Sequence, residues 1–202
     1  SFEIIRNNKK LICNSGYFQN YKHQLNNISK TTACHSTLSI ANHSSVQFVK
    51  QPDSPSKIST GLKIFNKKII SENNYWSASA SHDGYNKRFG IIHERKIDFL
   101  HDAEKFIGVD KIFKKKKFKS VNFEIRFHLD PESKIMKTQD GKAIYIDLNN
   151  EGWKFICKEY KIDVETGLFF GLKNNFTENQ NIVISGMVQN EKQKISWELK
   201  KI

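Results

Sequence analysis

Seven histidines are the side chains of this 202-residue chain best suited to move protons or ligate a metal at neutral pH. They are His23, His35, His43, His82, His93, His101 and His128, and none forms an HxxxH pair, the spacing that puts two imidazoles on one helical face. His35 lies in TTACHSTLSI (31–40), where an irregular segment enters an alternating strand. Its backbone is fixed there while its ring can face core or cleft, and on the residues alone it reads as a hydrogen-bonded structural histidine. A second context is ASHDGYNKRFG (80–90), which crowds His82, Tyr85, Lys87 and Arg88 into one turn before IIHERKI. Such a turn can grip a carboxylate or sulfate and offer proton donors; equally, it can be an ordinary polar turn with Tyr85 packed on a sheet. His82, Tyr85 and Arg88 are the substrate-binding candidates. The thiols Cys13, Cys34 and Cys157 are odd in number and lack CxxC spacing, so neither a disulfide framework nor a cysteine zinc site is supported. They read as buried and reduced.

Strands must position these residues. Strand signals recur at 36–40, 45–50, 67–72, 75–81, 89–100, 105–114, 121–129, 134–138, 143–148, 153–160, 164–171, 182–189 and 194–200. The alternation in AIYIDL (143–148) is the period of a half-buried strand, and nowhere is a 3.6-residue apolar period sustained. Residues 1–16 read as a hairpin turning at Asn7-Asn8-Lys9. Because this opening is already strand, with no initiator Met or leader, we expect a stretch of a longer protein. Asp140-Gly141 reads as a tight hairpin turn with both residues at positive φ, and Asp83-Gly84 as a looser turn between 76–81 and 89–100. The polar segment 17–32 reads as an irregular loop holding one helical turn, and 51–57, with Pro52 and Pro55, as an exposed loop. No repeat or composition shift marks a boundary. The expected architecture is all-β: one antiparallel β-sandwich of a dozen or so strands, a single domain over 1–202.

Composition narrows the partners. Hydrophobic content of 38% with 12% aromatic argues against disorder, and three Pro with ten Gly are too few for low complexity. No apolar run reaches membrane-span length and no signal peptide is visible. A net charge of +12 attracts polyanions, whether nucleic acid, anionic lipid or acidic polysaccharide. The excess is mostly Lys in a chain rich in Asn and Ile, a mix that A/T-rich coding also produces. Its densest run, residues 114–117, reads as a solvated loop between strands. Aromatics alternate into strands instead of interleaving with basic residues on one face, which disfavours nucleic acid.

The order of phrases is more specific than composition. SFE-x(8)-ICNSG, TTACHSTLSI, SASHDGYNKRFGIIHERKI, FEIRFHLDPE, EGWKF and GLFFG, running from Ser1 to about Trp197, resemble the C-terminal part of heparinase II/III family proteins. The specific parts are His35 with Ala33 and Ser36-Thr37, and the SHDGY–RFG–HER block. The resemblance implies an α/α-toroid followed by an antiparallel, supersandwich-like β-sandwich, with substrate in the cleft between them. This chain would be the sandwich, with the toroid absent from it.

Lyases of the family break a glycosidic bond beside a uronic acid by β-elimination. That reaction needs the C5 carboxylate neutralised, the C5 proton removed and the departing 4-oxygen protonated. The family takes a Tyr and a His or Asn for this from the toroid, and a further His from an HxHxD-like segment just before the SFE strand. The resemblance therefore assigns no catalytic residue to this chain. Several members hold zinc through the second His of that segment, an Asp ending the first hairpin and a His entering the later strand. His35 matches the last, while Asn14 stands where the Asp would be, a neutral amide in place of a carboxylate. His35 and Asn14 are thus the metal candidates; zinc is possible, and no cofactor is the expectation. Without metal, His35 would fix the irregular loop against the first hairpin.

The implied function is the β-sandwich domain of a polysaccharide lyase cleaving acidic, uronate-containing glycans. The alternative is a non-catalytic glycan-binding or scaffolding module. Expected partners are an acidic polysaccharide and the toroid domain of the same protein, without nucleic acid or a membrane span. The location is open, with the bacterial periplasm or cell envelope as the expected setting.

Overall fold

A computed structural model describes residues 1–115, 120–171 and 175–202. In chain order the elements are β1 (Ile4–Arg6), β2 (Lys9–Ile12), α1 (Gln24–Ile28), β3 (Leu38–Ile40), β4 (Gln47–Gln51), β5 (Ser54–Thr60), β6 (Ile64–Glu72), β7 (Tyr75–Tyr85), α2 (Asn86–Phe89), β8 (Ile91–Leu100), β9 (Lys105–Lys114), β10 (Val121–His128), β11 (Lys134–Lys137), β12 (Ala143–Leu148), β13 (Glu151–Ile156), β14 (Ile162–Phe169), β15 (Thr177–Val188) and β16 (Lys192–Lys201). An eight-stranded sheet runs β11-β12-β13-β16-β9-β8-β7-β6, and a four-stranded sheet runs β14-β15-β10-β3. All the ladders are antiparallel, so the expected all-β sandwich is the fold. No described helix is long and apolar enough to cross a membrane.

Alternation along each strand makes the core. Phe123, Ile125 and Phe127 of β10, with Ile182 and Ile184 of β15, pack in one buried cluster with Ile144, Ile146, Phe155, Trp197 and Leu199 of the large sheet. The Phe127 ring centroid lies 4.8 Å from that of Phe155 and 4.8 Å from that of Trp197. Gly108 on β9 pairs with Trp197 on β16. A Cβ on Gly108 would fall 2.0 Å from the indole, so only glycine lets that ring lie over β9.

Turn chemistry fixes the registers. Asn7-Asn8 (φ 46° and 60°) joins Arg6 to its partner Lys9, and Asn149-Asn150 (φ 55° and 61°) joins Leu148 to Glu151. Both are two-residue turns with two positive φ angles, which Asn tolerates. At 140–141 the hairpin is present, but only Gly141 has positive φ, at 65°. Asp140 instead accepts hydrogen bonds from Thr138 Oγ1 and Lys142 N, the mark of a longer loop built on a side-chain-braced turn.

Two other expectations change. The segment 51–57 is not a loop but the tip of the β4–β5 hairpin, with Gln51 opposite Ser54; a two-strand ribbon has only edges, so Pro55 forfeits no ladder bond it needs. Asp83-Gly84 does not reverse the chain. Strand β7 continues through an irregular step to Tyr85, and the reversal is the single turn α2, closed by Gly90 in the left-handed conformation at φ 65°. The irregular segment 17–32 holds its one helical turn, α1, capped by His23, whose Nδ1 accepts from Leu25 N at 3.2 Å. Of the lysine run, Lys114 ends β9, and Lys116 and Lys117 lie outside the described residues.

Candidate functional site

Ser36, fully buried, sets the position of His35. Its hydroxyl donates to Cys13 O at 2.6 Å and accepts from His128 N at 2.9 Å. Its N–H donates to Asn14 Oδ1 at 2.9 Å, and its carbonyl accepts from Arg95 Nη1 at 2.7 Å. One small residue thereby ties the end of the first hairpin to β10 and β8. A 3-10 turn at Thr32–Cys34 leads in, and His35 N donates back to Thr32 O at 3.1 Å.

The His35 ring is half-buried, and its nitrogens have no hydrogen-bond partner among the described residues. Burial lowers its pKa, favouring the neutral ring. It lines a groove of about 550 Å³ on the inner face of the β6–β7–β8 end of the large sheet. Ile64, Ile69, Trp76 and Ile97 make the apolar part of the walls, and Phe2 and His82 lie along it.

Behind the groove runs a chain of hydrogen bonds that fixes every proton. Gly84 N–H can only donate, so His82 Nδ1 accepts from it at 3.2 Å, and His82 Nε2 carries the proton given to His93 Nδ1 at 3.0 Å. His93 Nε2 then donates to Asp110 Oδ1 at 2.6 Å. The Asp110 carboxylate also takes Arg95 Nε at 2.7 Å, Arg95 Nη2 at 3.0 Å and Trp197 Nε1 at 3.0 Å. Burial alone would raise the Asp110 pKa, but Arg95 and His93 outweigh it and hold the carboxyl well below the usual carboxylate range. Burial pulls His82 down to about 3 and lowers His93 as well, so both rings are neutral. The Arg95 guanidinium lies 5.3 Å from the Phe2 ring centroid and 5.8 Å from that of Phe127, in cation–π contact with both. His128 is a parallel case: it bridges Ser15 Oγ at 3.1 Å and Ala33 O at 2.9 Å, and burial lowers it to about 4.

The candidates read from the sequence separate. His35 and His82 share the groove. Tyr85 and Arg88 line a second depression of about 320 Å³ with His43, Ser44, Lys87 and Phe89. Tyr85 is 1% exposed and its hydroxyl donates to Leu38 O at 2.9 Å, which commits it to bracing β3. Burial raises its pKa. Arg88 is exposed.

Asn14 and His35 do not fit a zinc ion. Both ends of the Asn14 amide are committed, Oδ1 to Ser36 N and Nδ2 to Glu3 Oε1 at 3.1 Å. Among the described residues no group of three or more His, Cys, Asp or Glu side chains is disposed to hold a metal. Cys13, Cys34 and Cys157 are free and buried, and burial pushes the Cys13 thiol up to about 12. Sequence reasoning missed Asp110 and gave Ser36 no role beyond its place in the motif around His35. The signal for Asp110 was available: in the alternation Gly108-Asp110-Ile112 a carboxylate occupies an inward position.

Comparison with known proteins agrees with the fold. The heparan sulfate lyase HepC from Pedobacter heparinus superposes with a TM-score of 0.78 at 15% identity, covering 98% of this chain and 29% of that one. A heparinase III gene product gives 0.77 at 15% identity, covering 99% and 29% respectively. A further heparinase III structure gives 0.70 at 15% identity, covering 99% and 28%. The chain thus spans less than a third of the length of these solved relatives. No curated protein shows significant similarity to the sequence. A family profile described as "Heparinase II/III-like, C-terminal" matches residues 1–198, and the chain therefore belongs to the heparinase II/III-like family.

Proposed function

We propose that this chain is the β-sandwich wall of a polysaccharide lyase that cleaves an acidic, uronate-containing glycan by β-elimination. The opposite wall, with the catalytic Tyr and His or Asn, comes from an α/α-toroid domain of the same protein. The observation that carries the reading is the open groove beside His35, whose ring nitrogens have no hydrogen-bond partner among the described residues. Neutral and half-buried, such a ring can accept a hydrogen bond from a sugar hydroxyl or donate one to a ring oxygen. His82 keeps both nitrogens in the hydrogen-bond chain to Asp110 and serves the groove as a fixed neutral surface.

The described side chains assemble no base with a substrate-facing acid beside it, so the elimination itself is assigned to groups outside the chain. The test is to incubate the chain with heparan sulfate and follow the ultraviolet absorbance of an unsaturated uronate. No product is expected from the chain alone, and product formed by it would overturn the assignment. A second reading, a glycan-binding or scaffolding module, draws on the committed amide of Asn14. It predicts that the full-length protein also leaves the glycan intact.

A further inference from the structure

The depression beside α2 differs in chemistry from the groove. The chain has four arginines. Arg6, Arg95 and Arg126 pair with carboxylates at Glu104, Asp110 and Glu124. Arg88 has no acidic partner among the described residues, and neither has its neighbour Lys87. The Arg88 guanidinium lies 5.8 Å from the centroid of the Phe89 ring, which limits its freedom.

His43 meets Phe89 edge-on at 5.4 Å and gives its Nδ1 proton to Ala41 O, leaving Nε2 without a partner among the described residues. Ser44 Oγ accepts from Thr32 N at 3.0 Å, so its own proton is available to a ligand. No carboxylate lines the depression. The nearby Asp83 is engaged at Lys63 N, 2.7 Å away. Between depression and groove stands Ser45, held so close that a Cβ on Gly84 would come within 2.6 Å of its carbonyl. The two cavities are therefore neighbours that share Ser45 as a wall.

We propose that this depression is a separate oxyanion subsite for a sulfate or carboxylate carried on a glycan ring. Arg88 forks onto two of its oxygens, with Lys87 and the Ser44 hydroxyl supplying further donors. The proposal rests on the glycan reading above and adds a residue-level claim: the anionic substituent is gripped at Arg88, outside the His35 groove.

The test is calorimetric titration of the 202-residue chain at fixed salt with four tetrasaccharides. They are a heparan sulfate fragment, its desulfated form with carboxylates retained, its carboxyl-reduced form with sulfates retained, and neutral cellotetraose. Arg88→Ala is expected to weaken the heparan sulfate fragment about tenfold, and Arg88→Lys less, because an ammonium makes no fork. Lys161→Ala, the same charge change on an exposed residue elsewhere, is expected to leave affinity within about twofold, the size of a screened surface charge. The arm that loses its sensitivity to Arg88→Ala names the anion: the desulfated arm for sulfate, the carboxyl-reduced arm for carboxylate. Equal weakening by Arg88→Ala and Lys161→Ala, or no effect of Arg88→Ala on a chain that binds, overturns this proposal alone. Failure of the unaltered chain to bind any of the four overturns the glycan reading as well.

Discussion

Asp110 is the one carboxylate in the buried set of described residues, and it receives two arginine nitrogens, one imidazole and one indole. Removing its charge strands Arg95 in a largely desolvated place. Asp110→Asn is expected to destabilise the chain by about 3–5 kcal/mol, the usual result of breaking one partner out of a buried pair, read from the urea midpoint. An unchanged midpoint would contradict the assigned network. Gly108 acts through the same cluster. Gly108→Ala must displace the Trp197 ring, at about 1–3 kcal/mol for overpacking, with a shift in tryptophan emission as the local sign. At this scale the sequence told less than the fold. His35, His82, Tyr85 and Arg88 were legible as interesting residues. Whether Tyr85 faced a ligand or a carbonyl depended on β3, some forty-seven positions away.

Elements meet at Ser36. Ser36→Ala leaves Cys13 O and His128 N without their buried partner, at about 1–3 kcal/mol for each unpaired group. Amide resonances of 31–37 should shift with it, since His35 is placed by those bonds. A Ser36→Ala chain with native stability and unmoved resonances would refute the tie. Strand positions were readable because period-2 alternation reports burial directly, and 105–114 and 143–148 coincide with β9 and β12. Of the β4–β5 hairpin only the first strand was readable, as the signal at 45–50. Pro52 and Pro55 disguise the second strand, whose residues are mostly exposed, so neither burial nor alternation marked it. Asp83-Gly84 misled for a related reason: a turn-forming pair sits inside β7 where the register slips, and the reversal falls to a helical turn ending on Gly90.

Across the whole molecule, the buried histidines set a pH dependence. His82 and His128 are lowered in the folded state to about 3 and about 4, against about 6.5 for an unfolded chain. Above pH about 6.5 both states are neutral at these rings and the full stability is present. As pH falls below that, the unfolded chain takes up protons that the folded chain refuses, so stability declines by up to about 1.4 kcal/mol per pH unit for each ring until the folded pKa is reached. Asp110, also lowered, adds a loss in the same direction at still lower pH. Melting temperature measured between pH 7 and pH 4 should fall steadily, and a flat profile would mean the rings are not neutral and buried.

Fold class and family were legible in order-specific phrases more than in composition, because a net charge of +12 fits many polyanions and the SHDGY–RFG–HER block fits few folds. The measurement that bears most directly on the glycan face is amide shift mapping of the ¹⁵N-labelled chain titrated with a heparan sulfate tetrasaccharide. Perturbations should cluster at 32–37, 43–47 and 78–89, the borders of the groove and the Arg88 depression. Perturbations confined to the β11–β13 end of the large sheet, or none at saturating sugar, would contradict the account.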